Sequence, residues 1–203
     1  MKKLKIGFLF FILMIPFVFA QNTVRMTSNY GSDNQEIQDL SDFENIYTEQ
    51  LKFESENLKG KYYQINLEEF KNGKRIKNTM LFDGSETDYF KIKSDHVLLK
   101  FFFKLSDGKL KAYIRGDGFG SKKSYFPLIS DSDSYTVKNF FGNKKELSVD
   151  VQKKIAVFAI ITPTIHKDGS GSYCEVVQSE IVPEKLGEHF KIPHYFLITI
   201  VFK

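Results

Sequence analysis

Tryptophan is absent from this 203-residue chain, cysteine occurs once and proline five times. A single cysteine excludes a disulfide scaffold and any zinc site built from several thiolates. Arginine is scarce as well, standing only at positions 25, 75 and 115 among 29 basic residues. Arg is the usual donor for bidentate recognition of phosphate or carboxylate, and three scattered copies do not make a clamp in sequence. No Asn-x-Ser/Thr sequon occurs, which removes N-glycosylation from consideration. Lys in place of Arg, with abundant Phe, Ile, Asn and Tyr, has the bias of an AT-rich bacterial coding sequence.

The only long apolar run lies at the start. Lys2, Lys3 and Lys5 precede the stretch Ile6–Ile15, then Pro16 and Phe17-Val18-Phe19-Ala20. A basic n-region, an apolar core of about 10–14 residues and small side chains at −3 and −1 predict a secretory signal peptide over 1–20, cleaved before Gln21. A membrane anchor is the competing reading, but it reaches the ~17–20 residues of a spanning helix only by counting Ala20-Gln21-Asn22-Thr23 as membrane. The expected location is therefore the periplasm or the exterior of a bacterial cell. No Cys follows the cut, so a lipid-modified N-terminus is excluded.

Cleavage changes the charge. The formal net charge of +4 comes from 29 basic and 25 acidic residues; removing three lysines leaves 26 against 25. A near-neutral mature chain has no global field drawing it to phosphate or to an anionic bilayer, so nucleic acid is not expected as a partner. The expected partner is a protein or glycan of the cell envelope.

Residues 21–46 read as a flexible or partly helical lead-in. Ile37, Leu40, Phe43 and Ile46 recur at steps of three, with Asp33 or Asn34 available as a cap. From Tyr47 to Lys203 the pattern is that of one β domain. Lys61–Phe70 alternates, and Asn72-Gly73 separates it from Arg75–Phe82; this dipeptide is the strongest short hairpin signal, because a type I′ turn needs positive φ at both central residues. Tyr89–Lys93 reads as a brief strand. His96–Leu105 sets Val97, Leu99, Phe101, Phe103 and Leu105 on one face, and Ser106-Asp107-Gly108 turns the chain into Lys109–Arg115. Lys123–Ile129, Tyr135–Phe141 and Glu146–Val151 follow. Ile155–Ile161 and Tyr195–Phe202 are apolar on both faces and read as covered central strands.

About ten strands with no long helix between them predict an all-β fold, an antiparallel β-sandwich of jelly-roll or immunoglobulin-like type with a short N-terminal helix. A small outer-membrane barrel is disfavoured, since several strands are too short for a charge-free band about 25 Å tall and Pro127 and Pro163 interrupt others.

No catalytic, metal or cofactor constellation is complete. Asp131-Ser132-Asp133 resembles the first half of a calcium loop, but Tyr135 stands where a third ligand belongs. Gly116-Asp117-Gly118-Phe119-Gly120 has the spacing of a phosphate loop without the helix that such a loop must open, and reads as a wide β turn. His189 and His194 fit no zinc pair, and His166 near Asp168 lacks a nucleophile. Cys174 reads as a small buried hydrophobe.

The remaining signal is aromatic. Tyr62, Phe102, Tyr113 and Tyr125 sit on the more polar faces of their strands and are the ligand-contact candidates. The chain is thus expected to be a non-catalytic binding or interaction module of the envelope. The alternatives are a structural subunit of a surface assembly, exchanging its apolar terminal strand, and, more remotely, a hydrolase using His166.

Overall fold

Two-residue turns set the hairpins. The computed structural model describes residues 22–166, 168–173, 176 and 180–203. At Asn72-Gly73 both φ angles are positive, 51° and 74°, as a type I′ turn requires, joining β3 (Tyr63–Lys71) to β4 (Lys74–Asp83). Asp107-Gly108 does the same, at 54° and 67°, between β5 (His96–Ser106) and β6 (Lys109–Gly116). Because side chains alternate along a strand, such a turn also decides which residues share a face.

Among the described residues the strands form two main antiparallel sheets and one small hairpin. The larger sheet joins β10 (Glu146–Asp150), β1 (Thr23–Tyr30), β2 (Ile46–Glu54), β5 and β6. Its far edge is completed by β7 (Phe119–Gly120) and β8 (Ser124–Pro127), both paired with β6. The second runs β4, β3, β14 (His194–Phe202), β11 (Ile155–Ile161) and β9 (Thr136–Asn139). A two-strand hairpin, β12 (Thr164–Ile165) and β13 (Gly171–Ser172), stands apart. The fold is all-β and sandwich-like, as expected.

The core between the sheets is aliphatic for the most part, with phenylalanines bridging it from one sheet to the other. Phe53 meets Phe202 at 5.3 Å, Phe101 meets Phe158 at 5.0 Å, and Phe126 meets Phe196 at 6.0 Å, each pair crossing from one sheet to the other. A chain without Trp fills its inter-sheet layer this way.

The two doubly apolar strands lie where that pattern demands. On β14, Phe196, Ile198, Ile200 and Phe202 face the other sheet, while Tyr195 and Leu197 face a second buried cluster with Phe70, Ile161, Leu186 and Ile192. That outer cluster is roofed by the 3-10 turn Pro183–Lys185 and the short helix α2 (Leu186–His189). Since β14 is hydrogen-bonded to β3 on one side and β11 on the other, it is not a free strand for exchange between subunits.

Helix α1 (Gln35–Phe43) forms with Asn34 as its cap, the side chain accepting from the Ile37 N–H at 3.1 Å. Its apolar residues do not enter the core: Leu40 and Phe43 are 63% and 83% exposed.

Two local expectations need correction. Residues 23–30, read as flexible lead-in, form β1, with Val24 and Met26 fully buried and both edges paired. Two inward apolar residues are too weak a periodic signal alone, and pairing with residues 146–150 is invisible locally. Residues 89–93, read as a strand, instead begin within the 3-10 turn Asp88–Phe90, capped by the Thr87 hydroxyl, and continue without regular structure. The Thr87 cap draws residues 88–90 into a turn, and the backbone contact that follows, Ile92 with Gly60 and Lys61, is one residue long and too short for a strand. The segments 1–20 and Cys174 lie outside the described residues. No helix among the described residues is long and apolar enough to cross a membrane.

Candidate functional site

An open cleft of about 780 Å³ lies at one end of the larger sheet, between the 89–94 segment and the β5–β6–β7 hairpins. Its floor is an aromatic cluster. Phe82 stacks on Phe119 at 4.4 Å, and Phe90 packs edge-on to both, at 5.0 and 5.2 Å. These contacts tie the end of β4, the 3-10 turn and β7 together, so the walls come from three separate parts of the chain.

The glycine run makes the rim. It turns at Asp117-Gly118 with Gly116 paired to Phe119, the wide β turn expected, and no helix follows. Gly118 has φ +72°, and a Cβ there would lie 2.6 Å from the Tyr89 hydroxyl. At Gly120 a Cβ would lie 2.3 Å from the Tyr113 hydroxyl. Glycine is needed for this close approach of backbone to ring.

The charges lining this cleft are unbalanced. Lys91, Lys93, Lys100 and Arg115 contribute cations, and Asp117 the opposing carboxylate. Lys91 is partly engaged, 3.8 Å from Asp88 and over the Tyr62 ring at 5.1 Å. Lys93 lies 5.9 Å from the Tyr89 ring centroid. Lys100 and Arg115 are direct cross-strand partners, both exposed. Among the described residues neither forms an ion pair. Like charges directly opposite are destabilising, so this pair opposes folding unless an anion joins it. The hydrogen bond from His96 holds the Asp95 carboxyl below its usual range, which spends that acid locally.

Comparison with protein-family models, curated proteins and solved structures returns no match.

The four aromatic candidates fall differently. Phe102 lines the cleft and lies 5.8 Å from Tyr113, its cross-strand partner. Tyr113 carries Lys123 over its ring at 6.0 Å, and Tyr125, 58% exposed, carries Lys111 at 5.8 Å. Tyr62 is behind the wall, its hydroxyl donating to Asp88. They are therefore not one stacking platform. What the aromatic criterion missed is the Lys100–Arg115 rung. Counting back from the Asp107-Gly108 turn would have found it, since Ser106 opposite Lys109 places Lys100 opposite Arg115.

Other sequence candidates do not assemble. Asp131 accepts from the Asp133 N–H at 3.1 Å, Asp133 from Asn45 at 2.7 Å, and the Ser132 hydroxyl from the Gly108 N–H at 3.0 Å, so these oxygens close turns. Asp168 accepts from the Ser170 N–H and hydroxyl at 3.0 and 2.7 Å, beside His166 in an exposed hairpin loop. Among the described residues no group of three His, Cys, Asp or Glu side chains is placed to hold a metal ion.

One relay does resemble a catalytic arrangement. The Tyr135 hydroxyl donates to His194 Nδ1 at 2.7 Å, and His194 Nε2 donates to Glu69 Oε1 at 3.1 Å. His194 is fully buried between the sheets, and the cleft does not reach it. Its work is structural: it lets three polar side chains share a dry interior. Burial pushes the His194 pKa below its ordinary 6.5, against the opposing hydrogen bond and charge of Glu69. The unfolded chain therefore binds this proton first as pH falls, so its stabilising effect is present above about 6.5 and is lost as pH falls toward the lower folded value. Urea unfolding from neutral pH into the acid range should show that decline, and His194→Gln, a polar side chain that does not titrate there, should flatten it. An unchanged slope in the variant would assign the titration elsewhere. Glu49 works in the opposite sense: burial raises its pKa above 4.5 despite bonds from Ser28 and Asn139, so its protonation on acidification favours the fold.

Proposed function

We propose that the protein is a non-catalytic binding module of the bacterial cell envelope, exported by its N-terminal leader, which takes an anionic group of an envelope component into the β5–β6 cleft. The observation that carries this reading is the unpaired Lys100–Arg115 rung over an aromatic floor. Two exposed cations held side by side, flanked by Lys93, concentrate positive potential on a chain whose mature net charge is near zero. Arg115 supplies a planar fork suited to sulfate, phosphate or carboxylate, and Lys100 a point charge beside it. Phe102 and Phe119 offer apolar contact to the carbon skeleton that bears the anion.

An NMR titration with a sulfated trisaccharide tests it. Amide shifts are expected at residues 98–100 and 115–119, and the double variant Lys100→Ala/Arg115→Ala should abolish them while leaving the melting temperature unchanged or higher. Shifts confined to another surface, or retained in the double variant, would reject the cleft as the binding site.

A further inference from the structure

The unpaired positive charge does not stop at the cleft. Alternation along β6 buries Leu110, Ala112 and Ile114 and turns Lys109, Lys111, Tyr113 and Arg115 outward. Same-face residues on a strand are about 6.7 Å apart, so Arg115 and Lys111 mark out roughly 13 Å of open sheet surface. Lys123 sits over Tyr113 between them, and Lys111 over Tyr125 of the adjacent strand.

The pairing of cations divides this face in two. On its β1–β2 side Arg25 binds Glu54 at 2.5 Å and Lys52 binds Glu54 at 2.6 Å, while Lys104 of β5 binds Glu44 at 2.5 Å. Among the described residues Lys93, Lys100, Lys111, Lys123 and Arg115 form no ion pair. Five cations without an ion pair thus extend from the cleft along this face, Arg115 and Lys111 on β6 itself and Lys93, Lys100 and Lys123 on the segments beside it.

The rings along the way are covered by ammonium groups. A ring whose face already holds a lysine is not a platform for a nucleobase or for a neutral sugar; it positions charge instead. We propose that this row is a track for a linear polyanionic glycan, with one end of the polymer seated in the cleft and its following anionic units lying along β6 to Lys111. This inference rests on the cleft being the ligand site and adds that the ligand is a polymer read by its charge spacing.

Size-fractionated dextran sulfate, as a trisaccharide and as a long fragment, separates the two claims. Wild type should bind the long fragment more tightly, with affinity falling as salt rises. Lys111→Ala/Lys123→Ala, both outside the cleft, should weaken the long fragment about three- to tenfold and leave the trisaccharide unaffected. Lys100→Ala/Arg115→Ala should weaken both. If the Lys111/Lys123 variant binds the long fragment like wild type, the track is wrong while the cleft stands. If the Lys100/Arg115 variant loses nothing, the cleft itself is wrong. Binding of oligothymidylate of equal charge as tightly as dextran sulfate would overturn the glycan class, and equal binding of uncharged dextran would overturn the charge readout.

Discussion

Replacing Lys154 with Met should destabilise the protein by about 3 kcal/mol, the lower end of the range for removing one partner of a buried ion pair. Lys154 Nζ reaches both oxygens of Glu68, at 2.9 and 3.2 Å, and Glu184 at 2.7 Å. The Glu68 side chain is only 3% exposed, so its charge cannot turn to water when the ammonium is lost. Arg75, at 3.4 Å, remains as a partial substitute, which is why the lower end is expected. Burial works against the Lys154 ammonium, yet its bonds to Glu184 and Glu68 hold its pKa above the ordinary value. The bridge also fastens the Pro183–Lys185 turn over the outer face of β14's sheet, so its loss should loosen the roof of the second cluster. Denaturant titration reads the total loss, and hydrogen exchange reads the roof. Lys154→Met combined with Glu68→Leu should recover most of the stability, because the orphaned carboxylate is then gone. A loss below about 1 kcal/mol in the single variant, or no recovery in the double, would contradict the account.

Phe158→Ala should cost about 3–5 kcal/mol, the range for truncating a fully buried aromatic. A register shift in β11 between Ala156 and Phe158 turns Val157 and Phe158 both toward the opposing sheet. There Phe158 packs edge-on to Phe101 at 5.0 Å and Phe103 at 5.7 Å, so its removal opens a cavity between two sheets that cannot easily close. Phe102, flanked by those same two residues, is the control. It lies on the outer face and is half-buried, so Phe102→Ala should cost well under half as much. Equal losses from the two, at unchanged denaturant dependence, would mean that the inter-sheet layer is not where the stability resides.

Much of the architecture could be read in advance because it depends on neighbours in sequence. Asn72-Gly73 and Asp107-Gly108 carry their own backbone requirement, and Asn34 caps the helix next to it. Alternation in residues 97–105 foretold which side of β5 is buried. Expectation failed where the deciding partner was distant. β1 is a strand because residues 49–54 and 146–150 pair with it, and its own residues carry too few apolar side chains to announce that. His194 and Glu68 look like ordinary polar residues in sequence; only the fold closes them into a dry interior and then supplies Tyr135, Glu69 and Lys154 as partners.

The site divides the same way. Scarce arginine, and the near-neutral charge expected if residues 1–20 are removed, argued against a basic surface. A surface, however, is set by which charges are cancelled, and cancellation is a matter of distance. Sheet formation brings Glu54 to Arg25 and Lys52, and Glu44 to Lys104, while leaving Lys100 opposite Arg115 with no acid among the described residues paired to either. Local patterning was enough to specify an all-β chain with Phe in place of Trp at its centre and hairpins at Asn-Gly and Asp-Gly. Tertiary structure alone decided which of its lysines and its arginines stay uncancelled, because ion pairing falls off over a few ångströms and those ångströms are bridged by residues far apart in the chain.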